Sequence, residues 1–405
     1  MNASVTGIKG VYFVLVVIFI DCLGLGLIMP VMPELIMEIS GEDVSRAAFY
    51  GGWMMFVYAT MQFLCAPVLG NLSDRFGRRP ILLISMFGLF VDYVILMFAG
   101  SLLLLFVGRF LGGLFGASFS TANAYIADVT TAENRAHGFG LTGGAFGLGF
   151  ILGPVLGGML GEVDSRLPFK VAAMLALLNC VYGYFILPES LSPEKRRAFS
   201  WARANAFGAL QQILRRPEIH LMLLVLFLHQ FAFHANPAVW SYYTIEKFQW
   251  SQAQIGVSFA VIGFFVALVQ VVFVGKVVKR FGERKALLTG LIMTTIGCAG
   301  FAAASSGLLM LLVIPIWSFS GLTLPSLQSL ITRLTKDEEQ GDIQGIMTSV
   351  YSLTAMFSPV LMTQLFYRFS APETSTYLPG APFYFAALLA ASALVVVQLN
   401  KSITT

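Results

Sequence analysis

Three ionisable side chains stand inside long apolar runs, where charge is expensive: Asp21, Asp92 and Arg109. Burial disfavours the ionised form of a carboxylate, so Asp21 and Asp92 are placed to take up and release protons near neutral pH. They are the carboxylates that fall well inside apolar runs, and Asp92 lies nearest the middle of its run. Asp21 equally suits orienting a bound molecule, and either acid suits bonding to a neighbouring helix. A charge such as Arg109 inside a bilayer costs at least about 2.5 kcal/mol, so it must be paired, face water, or snorkel to the surface. One proton moved through the membrane potential releases about 2.3 kcal/mol per 100 mV, enough to drive a solute against its gradient.

A second constellation is Gly70-Asn-Leu-Ser-Asp74-Arg75-Phe76-Gly77-Arg78-Arg79. Gly70 and Gly77 permit tight turning and close backbone approach, while Asp74 and the arginines form a charge cluster able to hold one conformation closed. A plain basic turn is the alternative. A third is a set of polar side chains at membrane depth: Gln62, then His229, Gln230, His234, Asn236, Gln270 and Gln328. Polar groups there usually face a cavity, which these would line as a substrate pocket with Tyr58, Phe231, Trp240 and Trp317. Each of those aromatics taken alone reads first as core or lipid-facing.

Other chemistries find no footing. His229 and His234 do not share a helix face well, and Cys22, Cys65, Cys180 and Cys298 lie scattered in apolar runs, so neither a metal site nor a disulfide framework is expected. Gly147-Leu-Gly149-Phe-Ile-Leu-Gly153 has dinucleotide-loop spacing, but no strand precedes it and it lies within an apolar helix. No G-x-S-x-G elbow, P-loop, HExxH or Cys-His cluster occurs, so neither an enzyme nor a cofactor is expected.

The elements that must position these residues follow from composition. Of 405 residues 57% are hydrophobic and 11% charged, with mean hydropathy +0.79. That exceeds what a soluble core needs, and a bilayer is the natural solvent for the excess. With roughly 20 residues per crossing, about twelve spans fit: near 8–33, 49–71, 80–100, 102–127, 136–161, 167–188, 218–243, 252–275, 286–305, 307–330, 342–367 and 382–400. The first is too long for a signal peptide, carries Asp21 and lacks a small-residue cleavage site. Nineteen of the 25 Lys and Arg residues fall in one alternating set of loops and five (Arg46, Arg166, Lys170, Lys247, Arg368) in the other, leaving Arg109 inside a span. This bias places both termini in the cytoplasm and explains the net charge of +4 without a nucleic-acid partner.

The expected fold class is all-α, a polytopic membrane protein of two six-helix bundles: residues 1–188, a cytoplasmic linker 189–217, and residues 218–405. The linker is polar and basic and is either solvated or a surface-lying amphipathic helix bearing Trp201, Phe207, Leu210 and Ile213. The Gly70 motif recurs as Gly275-Lys-Val-Val-Lys279-Arg280-Phe281-Gly282-Glu283-Arg284-Lys285, 205 residues later. Both copies join the second and third spans of their half, so a six-helix unit is duplicated in parallel, with substrate between the halves near the midplane.

On these motifs the sequence resembles the major facilitator superfamily, and within it the drug:proton antiporters of tetracycline-exporter type. The resemblance rests on Gly70 to Arg79, on Arg109 with Gly112, Gly113 and Gly116, and on the fifth-span motif Gly149, Gly153, Pro154, Gly157 and Gly158. Similar runs are Asp21 to Pro33, Gln62 to Pro67, Val91 to Tyr93 and Leu324 to Gln328. The resemblance implies that Asp74 faces a helix N-terminus in the other half, that Arg78 or a neighbour reaches Asp128, and that Arg109 acts on nearby acids during proton handling. The small residues of the fifth span let helices pack closely, and Pro154 bends it. Tetracycline exporters of this type carry a histidine in the eighth span and an acid in the ninth; Val266 and Thr294 stand there instead, which argues for a different cargo.

The resulting expectation is a monomeric, proton-coupled transporter of the cell inner membrane that expels a small drug-like organic molecule. Uptake of a nutrient, siderophore or metabolite, or a non-transporting receptor or assembly role, are the alternatives.

Overall fold

The computed structural model describes residues 3–116, 118–130, 132–201, 205, 219–333 and 340–399. Among these the chain is helical and contains no β-strand. In hydrocarbon a backbone must satisfy its own N–H and C=O groups, which a helix does within one segment. Among the described residues eleven helical segments are long and apolar enough to cross a bilayer, and a bent pair makes a twelfth when its two helices count as one span. Large apolar side chains such as Phe98, Leu103, Phe185 and Val271 stand exposed, as expected where lipid replaces water.

The first span departs from the expectation of one helix over residues 8–33. Helix α1 (Ala3–Ile28) ends at a turn and α2 (Met32–Ser40) leaves at 47°. Pro30 removes a backbone donor at the break, and Pro33 sits in the first turn of α2, where its missing N–H is harmless. Next come α3 (Val44–Phe76), α4 (Arg78–Met97), α5 (Leu102–Gly116) with α6 (Ser118–Val129) as one span, α7 (Ala132–Gly161) and α8 (Leu167–Ile186). Among the described residues of the linker, Pro193–Lys195 form a 3-10 turn. The amphipathic helix envisaged over Phe207, Leu210 and Ile213 falls outside the described residues.

Beyond the linker, α9 (His220–Phe233) and α10 (Ala235–Phe248) form one span with a break at His234. Helix α11 (Gln252–Leu268) passes through a π-helical segment, Val269–Phe273, into α12 (Val274–Phe281). Then follow α13 (Glu283–Ala303), α14 (Gly307–Ser318) joined by a 3-10 segment Phe319–Leu322 to α15 (Thr323–Arg333), α16 (Gln340–Ser370) and α17 (Ala381–Leu399).

Two compact units emerge. The first comprises Met1–Gly41, Val57–Ala206 and Ser251–Ala260, and the second Glu42–Phe56, Phe207–Trp250 and Val261–Thr405. In the first, Phe13, Val17, Ile18, Leu82, Met86, Tyr125 and Ile126 form a core joining α1, α4 and α6. In the second, Met222, Leu226, Leu291, Ile331, Ile346 and Val397 join α9, α13, α15, α16 and α17. The leading end of α3 packs within the second unit, where Ser45 and Ser370 hydroxyls meet at 2.9 Å, Arg46 donates to the Tyr367 hydroxyl at 3.0 Å, and Gly52 lies against Thr363.

Candidate functional site

Helices α4 and α5 are joined by a short turn, so residues similarly distant from it sit side by side at one depth. Asp92 and Arg109 are such a pair. One Arg109 Nη donates to both Asp92 oxygens, at 3.2 and 3.0 Å, and the two residues are 6% and 1% exposed respectively. The pair fits because α5 presents glycine to it: a Cβ at Gly112 would stand 2.6 Å from Asp92 Oδ2, and one at Gly108 would stand 3.1 Å from Oδ1. The Arg109 guanidinium also lies 5.7 Å from the Tyr58 ring, a cation-π contact. Gly113 lets the Tyr58 backbone come against α5, and Gln62, one turn further on, donates to the Gly116 carbonyl at 3.3 Å.

Asp21, part-exposed on α1, is within electrostatic reach of Tyr58 and of Tyr93. The Tyr93 hydroxyl is buried without a hydrogen-bond partner in the structure, pressed against the α1 backbone at Gly24. Asp21, Tyr58, Asp92, Tyr93 and Arg109 thus form one electrostatic neighbourhood in the first unit. Tyr58 was legible only as a pocket aromatic, and Tyr93 only as part of a similar run; their link to the charges depends on which faces of α3 and α4 turn together.

The loop motif forms a second centre. Gly77 has φ +106°, a conformation L side chains rarely adopt, and it turns α3 into α4. Arg78 pairs with Asp74 at 2.6 Å and with Asp128 at 3.1 Å, and donates to Ser73 Oγ at 2.6 Å. Ser190 also donates to Asp128, at 3.2 Å. Arg79 donates to the Tyr184 carbonyl at 2.6 Å, and Arg75 stacks 4.9 Å over Phe76.

Sequence reasoning missed Glu189, taken only as the start of the linker. Its carboxylate accepts from the N–H groups of Arg78 at 2.8 Å and Arg79 at 3.2 Å, and from Ser190 and Leu191 at 3.0 Å. An acid at a helix N-terminus meets unpaired N–H groups and the positive end of the dipole. A Cβ at Gly77 would collide with this carboxylate, a second reason for glycine there. The second copy keeps only part of the pattern: Gly282 has φ +82°, and Glu283 pairs with Arg333 at 3.0 Å.

In α7 the glycines divide between two neighbours. Gly149, Gly153 and Gly157, spaced four apart, press on the α1 backbone at Phe19 to Leu27, with Gly26 opposite Gly153 and Pro154. Gly158 presses on Gln252 at the start of α11, whose Gly256 lies against the Pro154 carbonyl. Glu162 accepts from the Ala253 N–H at 3.3 Å, and the Gln252 amide is hydrogen-bonded to Glu34. On the same rim Lys170 contacts Asp164 at 2.7 Å and, with the Arg166 N–H, holds the Asp164 carboxyl below its ordinary range.

The polar residues of the second half scatter over several environments. His229 and Asn236 are 2% and 4% exposed, with His229 Nδ1 and both Asn236 amide atoms lacking a hydrogen-bond partner in the structure. Gln230 is partly buried, as is His234 at the break between α9 and α10. Gln328 donates to the Tyr351 hydroxyl at 2.8 Å. Gln270 is exposed and lies in the π segment, which packs against the Phe319–Leu322 segment through Phe273 and Phe319, ring centres 5.3 Å apart. Two facing irregularities of this kind leave no signature in an apolar run, and such segments concentrate at functional sites. Val266 is partly exposed, while Thr294 is buried and donates to the Gly290 carbonyl at 2.8 Å. Among the described residues no group of His, Cys, Asp and Glu is arranged to hold a metal ion.

A model of the Major Facilitator Superfamily matches residues 14–241 and 222–401. The tetracycline resistance protein, class C, of Escherichia coli is 37% identical over 384 residues, covering 91% of this chain and 93% of that protein. The class B protein of Escherichia coli is 33% identical, covering 93% of each. Among solved structures, the human organic anion transporter MFSD10 superposes with TM-score 0.72 at 23% identity, covering 97% of this chain and 99% of that one, a likeness of fold.

Proposed function

Since this chain belongs to the Major Facilitator Superfamily, we propose that it expels a small amphipathic organic molecule in exchange for protons, by alternating access. The observation that carries the reading is the Asp92–Arg109 pair, buried between α4 and α5 in a slot that only glycine leaves open. Two charges removed from water cost several kcal/mol each, which their attraction offsets only in good geometry. A proton delivered to Asp92 cancels that attraction and frees Arg109 toward Tyr58, so protonation and helix packing become one event. Asp21, nearer solvent and within reach of Tyr58, supplies either the second proton site or a contact for cargo.

Residues 1–188 and 218–405 act in this reading as the two rocking bundles, the segment 189–217 as their cytoplasmic tether, and both termini face the cytoplasm. The Arg78, Asp74 and Asp128 cluster closes that side. Gly149 to Gly158 form the sliding seal. His229, Gln230, His234, Asn236, Gln270, Gln328 and Gln62 contact cargo, and the protein works as a monomer. With Val266 and Thr294 where metal-drug chelate handling is expected, the cargo is a neutral or cationic drug rather than a tetracycline chelate.

The test uses everted vesicles with a preset pH gradient and a panel of amphipathic drugs that includes tetracycline. At least one compound dissipates the gradient with the wild-type chain and fails to do so with Asp92→Asn. No response across the panel, or an undiminished response from the variant, overturns the proposal. Accumulation in whole cells that rises with expression would instead establish import.

A further inference from the structure

The linker segment after α8 does not hang free: Leu187 and Leu191 are buried, while residues 192–198 are exposed. It is pinned to the motif loop at three places: the Asn71 side chain and the Ser200 backbone exchange hydrogen bonds at 2.7 and 3.4 Å, the Arg197 N–H reaches the Asp74 carbonyl at 3.0 Å, and the Glu189 carboxylate caps α4. With the main chain fixed at the ends of α3 and α4, where spans leave the hydrocarbon, consecutive Lys195, Arg196 and Arg197 are exposed. Trp201 is 76% exposed and stacks edge-on with Phe199 at 5.0 Å, and Tyr184 and Phe185 at the end of α8 are 62% and 78% exposed. Glu194 is the acid within the basic run, against three bases; Asp74, Asp128 and Glu189 are already engaged by Arg78 and backbone N–H groups.

Exposed aromatics at a span's end suit the amphipathic headgroup zone, and basic side chains beside them suit negative phosphates. We infer that Pro193–Trp201 is a membrane-surface element that binds anionic phospholipid headgroups on the side of the Gly70–Arg79 loop. The segment thereby ties the gating loop to the surface charge of its leaflet, independently of what the protein carries.

The full chain in nanodiscs tests this, with phosphatidylcholine alone or mixed with phosphatidylglycerol. Trypsin cutting after Lys195, Arg196 and Arg197 is followed by mass spectrometry relative to cutting in the exposed Arg280–Lys285 turn, which corrects for changes in protease activity. In phosphatidylglycerol discs the relative rate falls at least about fivefold, and about 1 M salt restores it. Trp201→Ala weakens the protection. Native mass spectrometry of detergent-purified protein doped with both lipids then shows fewer retained phosphatidylglycerol molecules for the triple variant Lys195→Gln, Arg196→Gln, Arg197→Gln. Equal relative cutting in both discs, protection indifferent to salt, or equal lipid retention by the triple variant would each overturn the inference.

Discussion

At Gly112 the difference between a hydrogen and a methyl group decides whether an ion pair forms inside the membrane. Gly112→Ala places a carbon 2.6 Å from Asp92 Oδ2, so either the carboxylate leaves Arg109 or α5 retreats from α4. Separating a buried pair costs about 3–5 kcal/mol; we expect a large loss of thermal stability in detergent and loss of drug-driven proton flux. Gly140→Ala in α7, where nothing lies within 4 Å, is the control: it leaves both unchanged or stabilises slightly, since alanine favours a helix by about 0.5–1 kcal/mol. Tyr58 makes a finer test of the same site. Tyr58→Phe keeps a ring facing Arg109 and retains flux, whereas Tyr58→Leu removes a contact of about 0.5–2 kcal/mol and shifts the pH profile of transport.

Among elements, the turn between α3 and α4 is specified by named side chains. Gly77→Ala is strained by its positive φ and collides with Glu189, so it should impair folding more than Gly275→Ala, which meets nothing within 4 Å. Glu189→Gln keeps an acceptor oxygen but not the charge that favours a helix N-terminus, and Glu189→Ala removes both. Stability measured by detergent unfolding should therefore fall in the order wild type, Gln, Ala. On the opposite rim Asp164 gives a pH prediction. Its folded-state value lies below the ordinary aspartate value, so its contribution is present above the unfolded value and is lost as pH falls through the folded one. Because Asp164 and Lys170 are both largely solvent-exposed, the effect is small: Asp164→Asn should flatten the acid limb of a stability profile only slightly.

For the whole molecule, alternate loops must face opposite sides if twelve spans run antiparallel. A cysteine at Gly100, between α4 and α5, should react with a membrane-impermeant maleimide in intact spheroplasts. One at Glu194, in the linker, should react only after permeabilisation. The four native cysteines lie within candidate spans, so they offer little background. Equal labelling of both positions from outside would reverse the positive-inside reading of the basic loops. The unit boundaries add a constraint that the loops do not: α3 begins in one compact unit and ends in the other, and the span containing α11 and α12 does the same in the opposite sense.

Hydropathy by itself determined the number, order and approximate ends of the spans, because a segment facing lipid must be apolar throughout and its backbone must close on itself. It also singled out Asp21, Asp92 and Arg109, since intramembrane charge is costly enough to be conspicuous in a single chain. What it could not supply was the rotation of one helix about its axis relative to the next. That Arg109 meets Asp92 through Gly112, that Glu189 closes over Gly77, and that α7 shares its glycines between α1 and α11 were decided by tertiary packing. So were the bend after Ile28, the π segment at Gln270 and the burial of His229 and Asn236. In an apolar helix every face looks alike in sequence, and only the packed neighbours distinguish a face turned to lipid from one turned to a partner.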